Sequence, residues 1–477
     1  MKVVLHWFRR DLRLADNTAL TEAARHADRV IPVFVLETAL RTGPDVGAAR
    51  LAFLLQSVES LRRSLAARGC PLVIRQGRSE DILPQLCLET GARAVFANQR
   101  CEPYARARDR RLTEALFAAG VEFKLFKDAV VWAESDLLTK ADRPYTVFTP
   151  YSKAWKQRPI PAPRPPFQPG GSAPGRPYKS EPLPADPAAF GHPCTQSLPP
   201  AGEAAALATL GAFMAGPVYD YATHRNLPAV AGTSGLSPYL RTGAIGIRTI
   251  LRALNQARAA ATAGQMTGCD TFLNELIWRE FYLQVLTHFP RVANGAFRPE
   301  YDALPWSGNR AHFQAWCAGR TGYPIVDAAL RCLNATATMH NRLRMIAAMF
   351  LTKDLLIDWR WGENYFMRQL VDGDLAANNG GWQWCAGTGT DAAPYFRIFN
   401  PVAQGEKFDP GGDFVRRWIP ELAAFPAATI HQPWSDPALL AKCKYPPRLV
   451  RHETQRALCL AMFKAVKQRG GKMGNSD

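Results

Sequence analysis

A chain of 477 residues exceeds what one ordinary hydrophobic core supports, so two domains are expected. Lys and Arg number 58 against 41 acidic residues, and the net charge of +17 favours a polyanionic partner such as nucleic acid, although a solvated basic surface explains it equally well. The ten cysteines form no CxxC pair, and no segment resembles a signal peptide or membrane span, so we expect a reduced, cytoplasmic protein without a metal site or a membrane anchor.

The first third of the chain alternates short β-branched runs with amphipathic stretches. The strand-like runs are VVLHWF, VIPVFVL, PLVIRQ and AVFAN, with helix-like segments such as TALTEAARHA between them. This alternation is typical of βαβ units, so residues 1–130 are predicted to form an α/β domain with a parallel, Rossmann-like sheet. No GxGxxG follows the first strand, and a dinucleotide site there is not supported.

The first strand ends in the charged segment WFRRDLRLADNTAL. On local grounds this segment is interpreted as an exposed basic turn that precedes a helix. A short polar side chain just before a helix accepts a hydrogen bond from a free backbone N–H, so Asp16 or Asn17 is the predicted cap.

Prolines mark the connection between the domains. Fourteen of the 37 prolines fall between residues 159 and 200, in a stretch such as PIPAPRPPFQPGGSAPGRP that suits neither a helix nor a central strand. Residues 131–202 are therefore predicted to be a linker that crosses the surface. Apolar positions then recur with a helical period, and residues 203–477 are predicted to form an all-helical domain.

Hydroxyl groups and a glycine precede a predicted helix in TSGLSPYL. Ser237 and Pro238 occupy the positions of an N-cap and a first helical residue. With the free amides of the helix start, Thr233, Ser234 and Ser237 would form a phosphate cradle. Ordinary helix capping explains the same residues and stays open as an alternative.

The segment NELIWREFY gathers polar and aromatic groups on one helical face, namely Glu275, Trp278, Arg279 and Tyr282. Each polar head would need a partner when buried, which makes the group unusual for a core stripe. An Arg–Glu pair on a partly wet helix, above a packed tryptophan, is the alternative.

The segment MHNRLRM brings Asn341, Arg344 and Met345 to one face, with Arg342 beside it. An amide and a thioether suit a flat ligand with carbonyl edges, whereas an asparagine inside a helix is otherwise unfavourable. His340 is interpreted as a core histidine without a catalytic part.

The segment GDLAANNGGWQW concentrates polar groups, glycines and tryptophans. Glycines permit close approach of the backbone to a ligand, and Asp372 and Asp374 can accept hydrogen bonds from ring or ribose donors. A glycine-rich turn with two packing tryptophans explains the glycines but not the polar groups around Asn378. Several such clusters in one helical domain indicate a functional site.

Together these motifs resemble the photolyase and cryptochrome family, and most closely the class I cyclobutane pyrimidine dimer photolyases. The resemblance also includes GRTGYPIVDAALR and DGDLAANNGGWQWCAGTGTDAAPYFRIFNP, and it spans nearly the whole chain. It implies an antenna-type N-terminal domain and a helical FAD-binding domain. It further implies light-driven DNA repair, in which excited, reduced FAD lends an electron to a pyrimidine dimer.

The resemblance also assigns cofactor contacts. Asn378 matches the residue whose amide faces the flavin N5 position. Arg344 and Asp372 match an ion pair beside the ring, and Asp374 matches a residue near its polar edge. The remaining cofactor contacts that it implies are Tyr221, Thr233, Ser234, Gly235, Leu236, Ser237 and Arg279. An electron-hopping chain would run from Trp382, nearest the flavin, through Trp359 to Trp306.

For duplex DNA, the resemblance implies that the dimer leaves the helix stack to reach the flavin. Trp278 and Trp384 would then clamp its apolar side. Its polar edges and ring would be bound by Glu275, Asn341 and Met345. The phosphates flanking the lesion would contact Arg225, Arg342 and Arg397.

The chain departs from the family pattern at several positions. Thr338 and Phe272 stand where relatives often carry tryptophan. In CEPYARARD, Tyr104 and Ala105 stand where folate-binding relatives often carry Asn and Glu. This disfavours methenyltetrahydrofolate as the antenna chromophore and leaves a deazaflavin, FMN or an empty site open.

A cryptochrome is the alternative function, either a blue-light receptor or a DASH-type protein acting on single-stranded DNA. Asn378 and the short QRGGKMGNSD after the last predicted helix argue against a receptor. Glu275 and Met345 favour the enzyme that acts on double-stranded DNA. A monomer is expected.

Overall fold

The computed structural model describes residues 2–43, 46–169, 178–392 and 394–473. The chain divides into two compact units, each made of three segments. Unit 1 contains Met1–Asp220, Ser234–Pro290 and Val371–Gly373, and unit 2 contains Tyr221–Thr233, Arg291–Leu370 and Asp374–Asp477. This division crosses the boundaries suggested at residues 130 and 202, which stay a prediction.

A five-stranded parallel sheet forms the centre of unit 1. Its strands are β1 (Val3–Phe8), β2 (Arg29–Glu37), β3 (Val73–Gly77), β4 (Ala94–Asn98) and β5 (Glu122–Phe126), in the order β3-β2-β1-β4-β5. Every residue of β1 is buried, because apolar clusters cover both faces of the sheet. The predicted parallel α/β domain is confirmed.

Helices account for most of the remaining regular structure. In chain order they are α1 (Thr18–His26), α2 (Ala39–Thr42), α3 (Ala48–Ala66), α4 (Ser79–Thr90), α5 (Pro103–Ala118), α6 (Phe148–Lys156), α7 (Glu203–Met214), α8 (Tyr221–His224), α9 (Ser237–Thr242), α10 (Ile247–Ala260), α11 (Ala263–His288), α12 (Arg310–Cys317), α13 (Pro324–Thr336), α14 (Asn341–Met349), α15 (Trp359–Gln369), α16 (Leu375–Ala386), α17 (Pro401–Phe408), α18 (Asp413–Trp418), α19 (Pro437–Leu440) and α20 (His452–Met473). A π-helical turn, Phe350–Asp354, follows α14. No strand follows β5 in the described part of the chain, which confirms the helical C-terminal half. Among the described helices, none combines the length and apolar character needed to cross a membrane.

The segment after β1 corrects one prediction. Asn17 caps α1 as expected, since its side chain accepts a hydrogen bond from the Leu20 N–H at 3.1 Å. However, the prediction of an exposed basic turn is wrong, because four of the five charged side chains of the segment are buried, namely Arg9, Asp11, Arg13 and Asp16, and Arg10 is half-buried. Their partners come from distant parts of unit 1, in the pairs Arg9–Asp109 (2.8 Å), Arg13–Asp128 (2.6 Å) and Arg248–Asp16 (2.6 Å).

These ion pairs keep buried carboxylates charged. Burial alone raises the pKa of Asp128, but Arg13 and Arg248 outweigh it and lower that pKa to about 2. Removing one partner would leave an uncompensated buried charge, which typically costs about 3–5 kcal/mol. The buried ion pairs therefore anchor the turn between β1 and α1.

The proline-rich segment contains an element that its composition did not reveal. Residues 157–169 and 178–186 form neither helix nor strand, as predicted, and residues 170–177 of the predicted linker lie outside the described residues. The Glu181 N–H donates to the Ile74 carbonyl at 2.9 Å and so covers the edge strand β3. Residues 148–156, however, form α6, which buries Tyr151 and Trp155.

Candidate functional site

Helix α11 of unit 1 contains the NELIWREFY segment and places Glu275, Trp278, Arg279 and Tyr282 on one face. Glu275, Trp278 and Arg279 are half-buried. Arg279 donates through Nη1 to the Ala129 carbonyl at 2.7 Å, which anchors one end of the face. The Trp278 indole lies flat against Phe148 of α6, with ring centroids 3.7 Å apart and planes 4° apart.

The helix α9 in the TSGLSPYL segment starts one residue earlier than predicted, at Ser237 instead of Pro238. Leu236 occupies the N-cap position and makes no side-chain capping bond, so the assignment of Ser237 as N-cap is wrong. The Ser234 hydroxyl accepts instead from the Leu236 N–H at 3.4 Å, and Gly235 turns the chain with a φ of +63°. Ser237 is exposed at the helix start, where hydroxyl and amide donors suit a phosphate group.

In unit 2, the first segment carries a basic side chain over an aromatic one. The guanidinium of Arg225 lies 5.5 Å from the ring centroid of Tyr221, which is buried. Thr233 lies at the end of the same segment and is exposed.

Helix α14 places the MHNRLRM residues as follows. Asn341 is its first residue and is exposed, so the premise that this amide sits inside a helix is wrong. Arg342 donates to Asn226 Oδ1 at 2.8 Å and lies 4.4 Å over the Phe408 ring. Arg344 donates to the Met339 carbonyl at 2.8 Å.

His340 caps α14 rather than filling the core. Its Nδ1 accepts from the Arg342 N–H at 3.2 Å. Burial and the nearby positive charges of Arg344, Arg342 and Arg225 lower its pKa to about 4. The ring is therefore neutral near pH 7.

The segment GDLAANNGGWQW forms the helix α16, so the alternative of a glycine-rich turn is wrong. Asp374 caps the helix by accepting from the Ala376 N–H at 3.2 Å. Asn378 is half-buried, and its Nδ2 donates to the Glu363 carbonyl of α15 at 3.0 Å. With Nδ2 engaged, the amide oxygen is held in a fixed direction. In unit 1, Asp372 is buried, and the next residue, Gly373, accepts from Arg241 Nε at 2.7 Å.

The three tryptophans of the predicted electron chain all lie in unit 2. Trp382 and Trp359 are buried, with 2% and 1% exposure, and Trp306 is half-buried. The indole N–H groups of Trp382 and Trp306 are buried and have no hydrogen-bond partner among the described residues. Trp384 is half-buried against the core of unit 2, and Arg397 is exposed.

The donor chemistry in each unit suits FAD. In unit 2, the fixed amide of Asn378 and the guanidinium of Arg344 match the polar edge of an isoalloxazine ring. Gly381, one turn along α16, has no atom within 4 Å of an added Cβ, so backbone approach there is unobstructed. In unit 1, the hydroxyls of Ser234 and Ser237 beside a helix start match a phosphate.

Two residues that pack against candidate site residues were not identified from the sequence. Phe148 lies in the predicted linker, although the spacing of Phe148, Tyr151 and Trp155 is typical of a helix. Gly362 of α15 faces Trp382 so closely that an added Cβ would lie 2.5 Å from Cζ3 and closer still to Cη2. No sequence signal points to that contact.

Comparisons with known proteins agree over almost the full length. Family models for the FAD binding domain of DNA photolyase and for DNA photolyase match residues 272–465 and 4–168. The chain is 42% identical to the deoxyribodipyrimidine photo-lyase of Vibrio cholerae, over 97% of this chain and 99% of the relative.

Solved structures are similar as well. A bacterial class III photolyase from Agrobacterium tumefaciens has a TM-score of 0.90 at 39% identity, covering 98% of each chain. An archaeal photolyase from Sulfolobus tokodaii with two FAD molecules has a TM-score of 0.82 at 31% identity, covering 97% of this chain and 100% of that one.

Proposed function

The chain belongs to the DNA photolyase family, and we propose that it is a light-dependent enzyme that splits cyclobutane pyrimidine dimers in duplex DNA. The observation that carries this proposal is the geometry of α16. Asn378 and Trp382 are four residues apart and share one helical face, and the Asn378 amide is held by α15. A flavin-facing amide and an electron donor are thus presented one turn apart.

FAD is the cofactor, and when bound in its reduced form it would supply, on absorbing light, the electron that opens the two cyclobutane bonds and would then recover it. Asn378 provides a fixed amide for the flavin N5 position, and Asp374 and Asp372 accept hydrogen bonds from ring or ribose donors. Arg344 supplies positive charge, which favours the anionic, reduced cofactor.

The diphosphate and adenosine part of FAD is assigned to a second set of residues. Ser234 and Ser237 contact phosphate oxygens through hydroxyls, and the backbone around Gly235 and Leu236 turns to expose amides. Tyr221, Thr233 and Arg279 are assigned to the remaining contacts by family resemblance.

Trp382, Trp359 and Trp306 are assigned to light-driven reduction of the oxidised cofactor, in which they would relay electrons inward from an external donor. Burial keeps Trp382 and Trp359 away from water.

Five side chains are assigned to the extruded dimer. Trp278 and Trp384 contact its apolar surface, Glu275 and Asn341 bind its carbonyl and N–H edges, and Met345 packs against its ring. The basic residues Arg225, Arg342 and Arg397 are assigned to flanking phosphates, which gives damage binding with little sequence preference.

A second, light-harvesting chromophore is compatible with the N-terminal domain, and its identity is undecided. The Sulfolobus tokodaii relative holds two FAD molecules. Here Tyr104 is 54% exposed, whereas Ala105 is buried, so only the tyrosine is available to a ligand. A deazaflavin, FMN and an empty site remain the candidates, with methenyltetrahydrofolate disfavoured.

We further infer a monomer that works in the cytoplasm. The cysteines of the described residues form no disulfide with one another, which suits a reducing compartment. The cryptochrome alternative is not favoured, since the full-length relative at 42% identity is a photo-lyase. Assignment to class I stays a prediction, because a class III photolyase is 39% identical.

The experiment that tests the function compares two lesions. Splitting a (6-4) photoproduct needs proton transfer as well as an electron, so it requires a general acid over the substrate. Asn341 and Met345 cannot serve, and His340 is neutral near pH 7 because its pKa lies at about 4. The reduced enzyme should therefore repair defined cyclobutane dimers under blue light and leave (6-4) lesions intact.

Repair is followed by chromatography of the illuminated oligonucleotides. Glu275→Ala should lower the repair yield by removing a carboxyl group from the dimer edge. Trp278→Ala should chiefly weaken lesion binding, by about 1–3 kcal/mol for a lost stacking contact. Turnover of the (6-4) lesion, or none of the cyclobutane dimer, would overturn the proposal.

A further inference from the structure

The lesion-binding candidate Trp278 is supported by a second ring. Its indole and the Phe148 ring are parallel within 4°, with centroids 3.7 Å apart, so Phe148 covers one face of the indole. Phe281, which is fully buried, meets Trp278 edge-on at 5.5 Å and 85°. Tyr282 lies 5.4 Å away at a tilt of 34°. Trp278 is therefore packed on one face and along its edge, yet it remains half-buried.

Phe148 is itself held rigidly. It begins α6, and the same helix buries Trp155, whose Nε1 donates to Glu280 of α11 at 2.7 Å. One residue further, Lys156 donates to Asn274 of α11 at 2.6 Å. The ring of Phe148 also meets Phe281 edge-on at 5.9 Å and 82°. Helix α6 thus presses its first ring against the indole while its last turn is bonded to the same α11.

We propose that Phe148 is a positioning residue for damage recognition: it fixes the plane of the Trp278 indole so that the uncovered part of the ring meets the extruded dimer. This inference rests on the proposed function and names a specificity determinant within it. A side chain that is already stacked loses little rotamer freedom when a ligand arrives, so less affinity is spent on ordering it. Undamaged DNA extrudes no base, and it gains nothing from this arrangement.

The test is Phe148→Leu, which keeps apolar bulk and removes the ring. Affinity for a duplex with one cyclobutane dimer should fall about 2- to 10-fold, the size expected when one side chain must be ordered on binding. Affinity for the undamaged duplex, FAD content and the repair yield of saturated enzyme should stay at wild-type values. Phe148→Tyr keeps the ring and should bind the dimer as wild type does.

Two further variants sharpen the result. Phe117→Leu is the matched control, because Phe117 is 84% exposed on α5 of the same unit and should have no effect. In a Trp278→Ala background, Phe148→Leu should cause no additional loss, because its effect acts through the indole. If Phe148→Leu proves unstable in thermal melts, Phe148→Met serves the same comparison.

The outcomes separate this inference from the function on which it rests. Unchanged dimer affinity in Phe148→Leu, an equal loss for both duplexes, or a full additional loss in the Trp278→Ala background would overturn the role of Phe148. Wild-type enzyme that repairs no cyclobutane dimer would instead overturn the proposed function.

Discussion

Replacing Gly362 by alanine should displace Trp382 and slow light-driven reduction of the cofactor. Gly362 lies inside α15, one turn after Trp359, and an added Cβ would lie 2.5 Å from Trp382 Cζ3 and 2.6 Å from Leu351 Cδ2. Real Cβ atoms do not approach other atoms within 3.0 Å, so one of the neighbours must move. Since the indole is rigid and fully enclosed, the helices or the ring must shift.

Two opposing free-energy contributions set the expected change in stability of Gly362→Ala. Alanine is better than glycine inside a helix by about 1 kcal/mol, which stabilises the variant. Overpacking a close-packed core costs about 1–3 kcal/mol, and two clashing neighbours favour the upper part of that range. The net expectation is a loss of about 1–2 kcal/mol in the free energy of unfolding, with a melting temperature below that of the wild type.

The assay combines thermal melting with photoreduction of the oxidised enzyme in the presence of an external donor. Gly211→Ala is the matched control, because this glycine lies inside α7 and an added Cβ meets nothing within 4 Å. It should melt at or slightly above the wild-type temperature and photoreduce normally. A Gly362→Ala protein that behaves like Gly211→Ala in both measurements would refute the reasoning.

Three other predictions follow from single side chains. Trp306→Phe should slow photoreduction yet leave repair by chemically reduced enzyme intact, and equal loss of both activities would contradict the electron-chain assignment. Arg342→Ala should weaken binding to dimer-containing duplex and reduce the salt slope by about 1, whereas an unchanged slope would indicate that the guanidinium serves only Asn226 and Phe408. Burial lowers the pKa of Lys353 from 10.5 to about 8. Between pH 8 and 10.5 the unfolded state therefore binds more protons at this lysine than the folded state does. The free energy of unfolding should gain up to about 3 kcal/mol from this group as pH rises through that window. Lys353→Met should lack that gain, and denaturation profiles that run parallel from pH 7 to 10.5 would contradict it.

The regular elements could be predicted because their signals are local. VVLHWF and AVFAN became β1 and β4, and Asn17 caps α1, because strand propensity and capping depend on neighbouring residues. The buried charges of Arg9 and Arg13 could not be predicted in the same way. Their carboxylate partners lie 100 and 115 residues further along the chain, so only the folded structure brings the charges together.

In the candidate site, too, only part of the local structure could be predicted from the sequence. The helical faces of α11 and α14 followed from spacing, but the ends of helices did not. Ser237 has the residue type of an N-cap and yet begins α9, with Leu236 in the N-cap position. Composition alone also suggested a glycine-rich turn at residues 380–381, whereas the Asp374 cap and the packing of Trp382 stabilise a helix there.

The glycines show why contacts between distant residues could not be predicted from the sequence. Sequence reasoning assigned meaning to the glycine pair beside Asn378, since glycines near polar groups suggest close approach to a ligand. Around Gly381 the space for a Cβ is open, so protein packing does not demand a glycine at that position. At Gly362, whose sequence neighbours gave no signal, protein packing does favour a glycine, because the indole of Trp382 fills the space that a Cβ would take. When a glycine is required by a side chain from a distant part of the sequence, the neighbouring residues give no sign of it. The same holds for Phe148, because its importance depends on Trp278, 130 residues further along the chain. Residues that hold a site in position are therefore found from contacts across the fold, even where the residues that perform the chemistry are legible in the sequence.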